Sequence, residues 1–477
     1  MKEPALPPGN KLALSALAGS ILLASLGISV TTVALPTLAS AFSASVQQVQ
    51  WVVLAYLVSL TVAIVSAGRM GDLYGSRRVL LSGLVLFTLA SIACAVAPSL
   101  GWLVAGRVGQ GLAAAVLMAL PMSLAKGLIA KERMGVVMGL LGTMSAIGTA
   151  LGPSLGGALI DLLGWRSIFV LLLLCALGMM AIAAMGIPKE KGPATTTARM
   201  DWAGSLWLCL ALLFFAMSAT GGKVGMAIPV WTLLASTAIA LAVFVVFEMR
   251  ASHPLVPLAL LGSRVLASSL TMNLIVSAIM MSTLVVGPFY LAFGLGLSEL
   301  MTGIVMAVGP AASALSGIPA GQLTDRFGTD RMLLAGLVLA TGGLICFALL
   351  PVRVGIPGYV MALVLTTPGF QLFLAANNTA TMAQAPDAQR GMVSGLIGLS
   401  RNLGFMTGAS LMPLLFASLL GDQEVASSST FAIGEAFSHT FLLAAASFGL
   451  AMVVFFVGRK RPTPISMSST QQGMNHD

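Results

Sequence analysis

The chain has 477 residues, of which 58% are hydrophobic and 8% charged, with a formal net charge of +9. A mean hydropathy of +0.99 with so few charges excludes a soluble globular protein, in which about a quarter of residues are charged. The basic residues gather in short loops without interleaved aromatics, so the charge reads as topogenic and as contact with anionic lipid, not as a nucleic-acid surface.

A hydrocarbon core of about 30 Å asks for roughly 20 apolar residues per helix. Six such runs fall near residues 12–36, 49–67, 79–97, 102–124, 136–160 and 167–187, and a pair follows at 203–220 and 228–247. Six more lie near 266–292, 301–323, 332–351, 358–383, 391–420 and 437–457. The expected total is fourteen spans. The first run is too long for the apolar part of a leader and has no small-residue cleavage site after it, so it reads as a span. An even number of spans places both termini on one side. Apart from Arg107 and Arg401, only Arg166, Lys223 and Arg353 of the basic residues fall on the opposite side. The positive-inside rule therefore predicts cytoplasmic termini and a multi-pass protein of the cytoplasmic (inner) membrane.

The expected organisation is an N-terminal six-helix bundle over residues 1–190, a linker with an extra helix pair over 191–255, a C-terminal six-helix bundle over 256–460, and a disordered Ser- and Gln-rich tail over 461–477. Cys94, Cys175, Cys209 and Cys346 all lie inside spans without C-x-x-C spacing, so neither a disulfide framework nor a metal site is expected. No cofactor is expected either.

Internal repetition carries more than any single residue. Gly68-Arg-Met-Gly-Asp72-Leu-Tyr-Gly75-Ser-Arg-Arg78, after the second span, is echoed 253 residues later by Gly321-Gln-Leu-Thr-Asp325-Arg-Phe-Gly328-Thr-Asp-Arg331. Gly139, Gly142, Gly148 and Gly152 are echoed by Gly395, Gly398, Gly404 and Gly408, a shift of 256. Two similar shifts in separate motifs imply a duplicated bundle. Within the first of these glycine rows, Gly148, Gly152 and Gly156 are spaced four apart and share one helix face without side chains, a surface for close helix approach. Pro153 removes a helical hydrogen bond beside it, and Gly157 completes a G-x-x-x-G-P-x-x-G-G pattern.

Parallel six-span halves, each with the loop motif between its second and third helices, resemble the major facilitator superfamily. The glycine–proline pattern is similar to the antiporter motif in the fifth helix of that superfamily's exporters. The extra central pair resembles the fourteen-span drug:proton antiporter family, as do Ala34-Leu35-Pro36, Trp51 with Tyr56, Arg107-Val-Gly-Gln110-Gly111 and Asp201-Trp202-Ala-Gly204. The resemblance implies an all-α major facilitator fold and a secondary exporter of small amphiphilic compounds by alternating access. Multidrug efflux coupled to protons is its implied activity, in a monomer within the bilayer. It also implies that Asp72, Gly75 and Arg78 form a latch on the cytoplasmic side, with Asp325, Gly328 and Arg331 as a weaker twin.

One departure is informative. Where those exporters carry an acid in the first span, this chain has Gly27, and the asparagine after it is Thr32. No Asp or Glu lies near the middle of any span, whereas Arg107 and Arg401 both lie at membrane depth, where ionisable groups are costly and are functional candidates by default. A lipophilic cation lacks a countercharge in such a setting. Arg401 ranks first as a substrate or coupling residue, and it occupies the repeat position held by Ser145 in the first half. Tyr56, Asn273, Tyr290, Gln371, Asn377, Asn378 and Asn402 are further candidates to line a central cavity, each equally suited to bonding between helices. A dedicated exporter of one endogenous metabolite or organic anion is the rival reading, and a sensor that has lost transport is a remote one. Catalysis is not expected, because His253, His439 and His476 are scattered over helix ends and tail.

Overall fold

The computed structural model describes residues 8–128, 134–188, 202–219, 229–250, 263–383, 390–421, 425 and 428–458. The expected domain boundaries near 190 and 255, the tail over 461–477 and the side chain of Asp72 lie outside the described residues. Every regular element described is helical. The first half comprises α1 (Pro8–Val33), α2 (Leu35–Ala41), α3 (Val46–Val49), α4 (Trp51–Tyr74), α5 (Ser76–Ala95), α6 (Leu100–Leu128), α7 (Met134–Leu163) and α8 (Arg166–Gly186). A hairpin of α9 (Trp202–Ala219) and α10 (Val230–Arg250) follows. The second half comprises α11 (Arg264–Phe289) with a π turn at Tyr290–Gly294, α12 (Glu299–Phe327), α13 (Thr329–Val354), α14 (Ile356–Ala383), α15 (Arg390–Leu419) and α16 (Thr430–Gly458).

Local chemistry sets the breaks between these helices. Ser45 opens α3 with a capping box, its Oγ accepting from Gln48 N while Gln48 Oε1 accepts from Ser45 N. Ser298 caps α12 by accepting from Met301 N at 3.3 Å. The two loop motifs turn the chain at a single glycine each. Gly75 joins α4 to α5 at φ 90° and Gly328 joins α12 to α13 at φ 87°, backbone that a side chain rarely tolerates.

Among the described residues twelve helices are long and apolar enough to cross a membrane, not the expected fourteen. The difference falls at the fifth and seventh expected spans, where the described apolar stretches are Ile147–Leu163 within the 30-residue α7 and Ala203–Ser218 within α9.

Corresponding helices pack alike in the two halves. α1 lies along α7 and α11 along α15, with α9 touching both α4 and α15. An added Cβ on Gly148 would strike Leu22 O and Ser25, and one on Gly404 would strike Leu274 O and Ser277. Both glycines therefore bring two backbones into contact.

Candidate functional site

Helix polarity defines a side of the termini and a far side, where α1 ends and α12 begins. The halves meet on the far side. Gly157 abuts the backbone of Glu299 and Gly303, and Gly303 in turn abuts Pro153 O. Close by, Thr37 Oγ1 donates to Glu299 Oε1 at 3.3 Å. The antiporter-like motif thus serves two partners: Gly148, Gly152 and Gly156 seat α1, while Pro153 and Gly157 seat α12 of the other half. On the side of the termini, an added Cβ at Gly68, Gly321 or Gly328 would find nothing within 4 Å.

Behind the far-side seal lies a cavity of about 910 Å³ between the halves. Its lining runs from Phe347 and Tyr359 near the seal to Ile64, Met122, Gly317 and Asn378 in the terminal-side parts of their helices. The first half contributes hydroxyls, Ser25, Ser29, Ser145 and Thr149, set among aliphatic side chains and Met118 and Met122. The second half contributes Arg401, Asn402 and Phe405 from α15, Phe370, Gln371 and Asn378 from α14, and the rings of Phe347 and Tyr359. Arg401 is the one charged side chain in the described lining, and no acid is present there.

Four of the expected site residues line this cavity: Arg401, Gln371, Asn378 and Asn402. Gln371 Nε2 donates to Ser313 Oγ. Asn378 Oδ1 and Arg401 Nε are buried without hydrogen-bond partners.

The other five stand outside the lining, spent on helix-to-helix bonds or ring packing. Asn273 Nδ2 donates to Ile397 O at 3.0 Å and Asn377 Nδ2 to Ser269 O at 3.3 Å, tying α11 to α15 and α14. Tyr56 donates to Ala24 O at 2.7 Å. Tyr290 stacks on Phe437 with centroids 4.1 Å apart, behind the cavity wall formed by Tyr359. Arg107 has no exposed surface. Its Nε donates to Val52 O at 2.7 Å and its Nη1 to Gly27 O at 3.0 Å and Gln110 Oε1 at 2.8 Å. The guanidinium also lies 4.3 Å over the Tyr56 ring, and Gln110 passes the network on to Ser91 Oγ at 2.8 Å. This arginine fastens α6 to α1, α4 and α5.

At the loop motifs, Arg78, Asp325 and Arg331 are exposed on the side of the termini. Arg77 is the residue that clamps a neighbour there, donating to Ile187 O at 2.7 Å and Ala184 O at 2.8 Å at the end of α8.

Sequence reasoning did not single out the hydroxyls of the first-half wall or the four rings of the second. Ser145 had a signal, because the repeat shift of 256 pairs it with Arg401. The rings had none, since a phenylalanine at helical spacing is the same letter whether it faces lipid, core or cavity.

The repeat is now visible in contacts as well as letters. Gly148 and Gly404 pack on equivalent points of α1 and α11, which pairs Ser25 with Ser277. In the first half Ser25 Oγ and Ser145 Oγ are bonded at 2.8 Å. In the second, Ser277 Oγ is buried without a partner, and Arg401 stands where Ser145 would be.

The family model described as Major Facilitator Superfamily matches residues 17–409, with an overlapping match over 266–473. The chain belongs to the Major Facilitator Superfamily. Among its relatives in this superfamily is the riboflavin transporter RibZ of Clostridioides difficile (strain 630), 28% identical over 94% of this chain and 97% of that one. The multidrug resistance protein Stp of Mycobacterium tuberculosis (strain CDC 1551 / Oshkosh) is 31% identical over 82% of this chain and 73% of that one. In fold, the chain is similar to the crystal structure of a bacterial homologue of the human lysosomal transporter Spinster, with a TM-score of 0.68 at 16% identity, covering 96% of this chain and all of that one. This superfamily member is a multi-pass membrane transporter and not an enzyme.

Proposed function

We propose that this protein is a secondary active exporter of small amphiphilic compounds, working by alternating access in the cytoplasmic membrane. The observation that carries the reading is one cavity of about 910 Å³ between two repeated bundles, sealed on the far side by the Gly157–Gly303 and Thr37–Glu299 contacts. Such a seal breaks and re-forms as the halves rock about a central site. With the termini placed in the cytoplasm by the bias of basic loops, the arrangement loads from inside. A wall containing Met118, Met122, Met280, Met281 and Met306 adapts to varied apolar shapes, which suits multidrug efflux and the named activity of Stp. Protons are the coupling ion in this reading, and one chain suffices because it encloses the whole cavity. The α9–α10 hairpin, touching both α4 and α15, is read as the added pair of a fourteen-span exporter, and the two loop motifs as its cytoplasmic latch.

A second reading, export of one endogenous metabolite, draws on Arg401 alone among neutral lining residues and on the riboflavin-transporting relative.

The test is a reversible lock. With the four native cysteines replaced, Thr37→Cys and Glu299→Cys are introduced together, since these side chains touch across the seal at 3.3 Å. Oxidation should stop dye accumulation by everted vesicles, and reduction should restore it. Accumulation that persists with the cross-link fully formed would refute a moving far-side gate. Collapsing the pH gradient in the same vesicles should stop transport, and undiminished transport would refute proton coupling.

A further inference from the structure

We infer that the cavity is an organic-anion site, and that its ligand is a planar aromatic monoanion whose acid group is held by Arg401. This names the substrate class of the site proposed above and rests on that reading of the cavity.

The broken repeat is the first ground. At equivalent points of the two halves the first has Ser145 bonded to Ser25 at 2.8 Å, an uncharged pair of hydroxyls. The second has Arg401 at that repeat position, and Ser277, packed against Gly404, has no partner. The arginine therefore does not take up the seam bond that the repeat provides, and its Nε is left unbonded beside the cavity. Arg107, with only its Nη2 left without a partner, makes three hydrogen bonds and has an aromatic ring under it, which is what a structural arginine looks like in this protein.

Charge is the second ground. A half-buried guanidinium without a nearby acid among the described lining residues is uncompensated, which is costly at membrane depth. An anion entering the cavity supplies the missing countercharge and gains charge-assisted, forked hydrogen bonds. A cation meets only repulsion, and a second negative charge on the ligand finds no second cation.

The third ground is where the rings lie. Arg401 and Phe405 are one helical turn apart on α15 and line the same cavity. Phe370, Phe347 and Tyr359 line it from α13 and α14, and the described residues of the first half add no ring. Acid group and ring of the ligand thus both face the second half, with the ring held by stacking. Asn378, whose Oδ1 lacks a partner, and Asn402 complete a polar rim able to bond substituents. The volume of about 910 Å³ is within the range of drug-sized sites.

Three nearly isosteric probes test this on the purified full chain in detergent: 2-naphthoate, 2-naphthamide and (2-naphthylmethyl)trimethylammonium, with affinities measured by calorimetry. Naphthoate should bind at least about tenfold more tightly than naphthamide, and the ammonium most weakly. Arg401→Gln should bring naphthoate down to the level of naphthamide while leaving naphthamide unchanged, and Arg401→Lys should keep part of the difference. The unchanged naphthamide affinity, with a melting temperature no lower than that of the native chain, separates lost recognition from lost folding. Equal binding of naphthoate and naphthamide, an unaffected Arg401→Gln, tightest binding of the ammonium, or no binding of any probe would each overturn the inference. Vesicle transport separates the two proposals. Movement of the ammonium but not naphthoate sinks the anion site and keeps the exporter, whereas tight naphthoate binding with no probe ever moved sinks the exporter and keeps the site.

Discussion

Arg107 and Arg401 are the same residue at membrane depth in two bundles related by repetition, yet they have opposite fates. Arg107 is fully buried and bonded to Val52 O, Gly27 O and Gln110. Arg401 lines the cavity with its Nε unbonded. The lesson is that depth alone does not make an arginine functional. What decides is whether the neighbouring helices turn carbonyls or a void toward it. Gly27 is part of that decision through its backbone. Its carbonyl accepts from Arg107, and the position holds no acid that could draw this arginine into proton chemistry.

The strongest way to break this comparison is Arg107→Ala. It opens a void against Tyr56 and leaves Gln110 without its charged partner, and a loss of about 2–4 kcal/mol of stability is expected. The melting temperature in detergent checks it, and should fall far more than for Arg401→Ala. Next comes Gly148→Val, whose added atoms meet Leu22 O and Ser25. Forcing α1 and α7 apart should cost about 1–3 kcal/mol, read as a lower melting temperature together with slowed dye efflux. Smaller and opposite in sign is Arg401→Ser, which removes an uncompensated charge and gives Ser277 the partner that Ser25 already has. The melting temperature should rise, by about 1 kcal/mol equivalent, while naphthoate binding is lost. Smallest is Ser25→Ala, which deletes the Ser25–Ser145 bond at 2.8 Å for about 0.5–1 kcal/mol. It should leave probe preference unchanged, since the described lining on that side of the cavity carries no charge.

Much of the architecture was legible because membrane helices announce themselves by length and apolarity, and because repetition of Gly75 at Gly328 and of Gly148 at Gly404 survives in the letters. Four of the nine cavity candidates, Arg401, Gln371, Asn378 and Asn402, line the cavity. The other five do not, because an asparagine or tyrosine in a span bonds whichever carbonyl its neighbour presents, and that neighbour is distant in sequence. Asn273 meets Ile397 O and Tyr56 meets Ala24 O, pairings that no periodicity encodes. The span count differs at α7 and α9, whose described apolar stretches are Ile147–Leu163 and Ala203–Ser218.

By itself, then, the sequence determined a membrane-embedded chain of two repeated helical bundles, with glycines where helices must touch and two arginines, Arg107 and Arg401, at membrane depth. These follow from composition and spacing, which are local and additive. Only the tertiary structure decided that Arg107 is a fastener, that Gly157 reaches across to Gly303 to seal the far side, and that every ring in the described cavity lining belongs to the second half. Those facts depend on which faces of distant helices meet, and hydrogen bonding and van der Waals contact act only at the separations that packing creates.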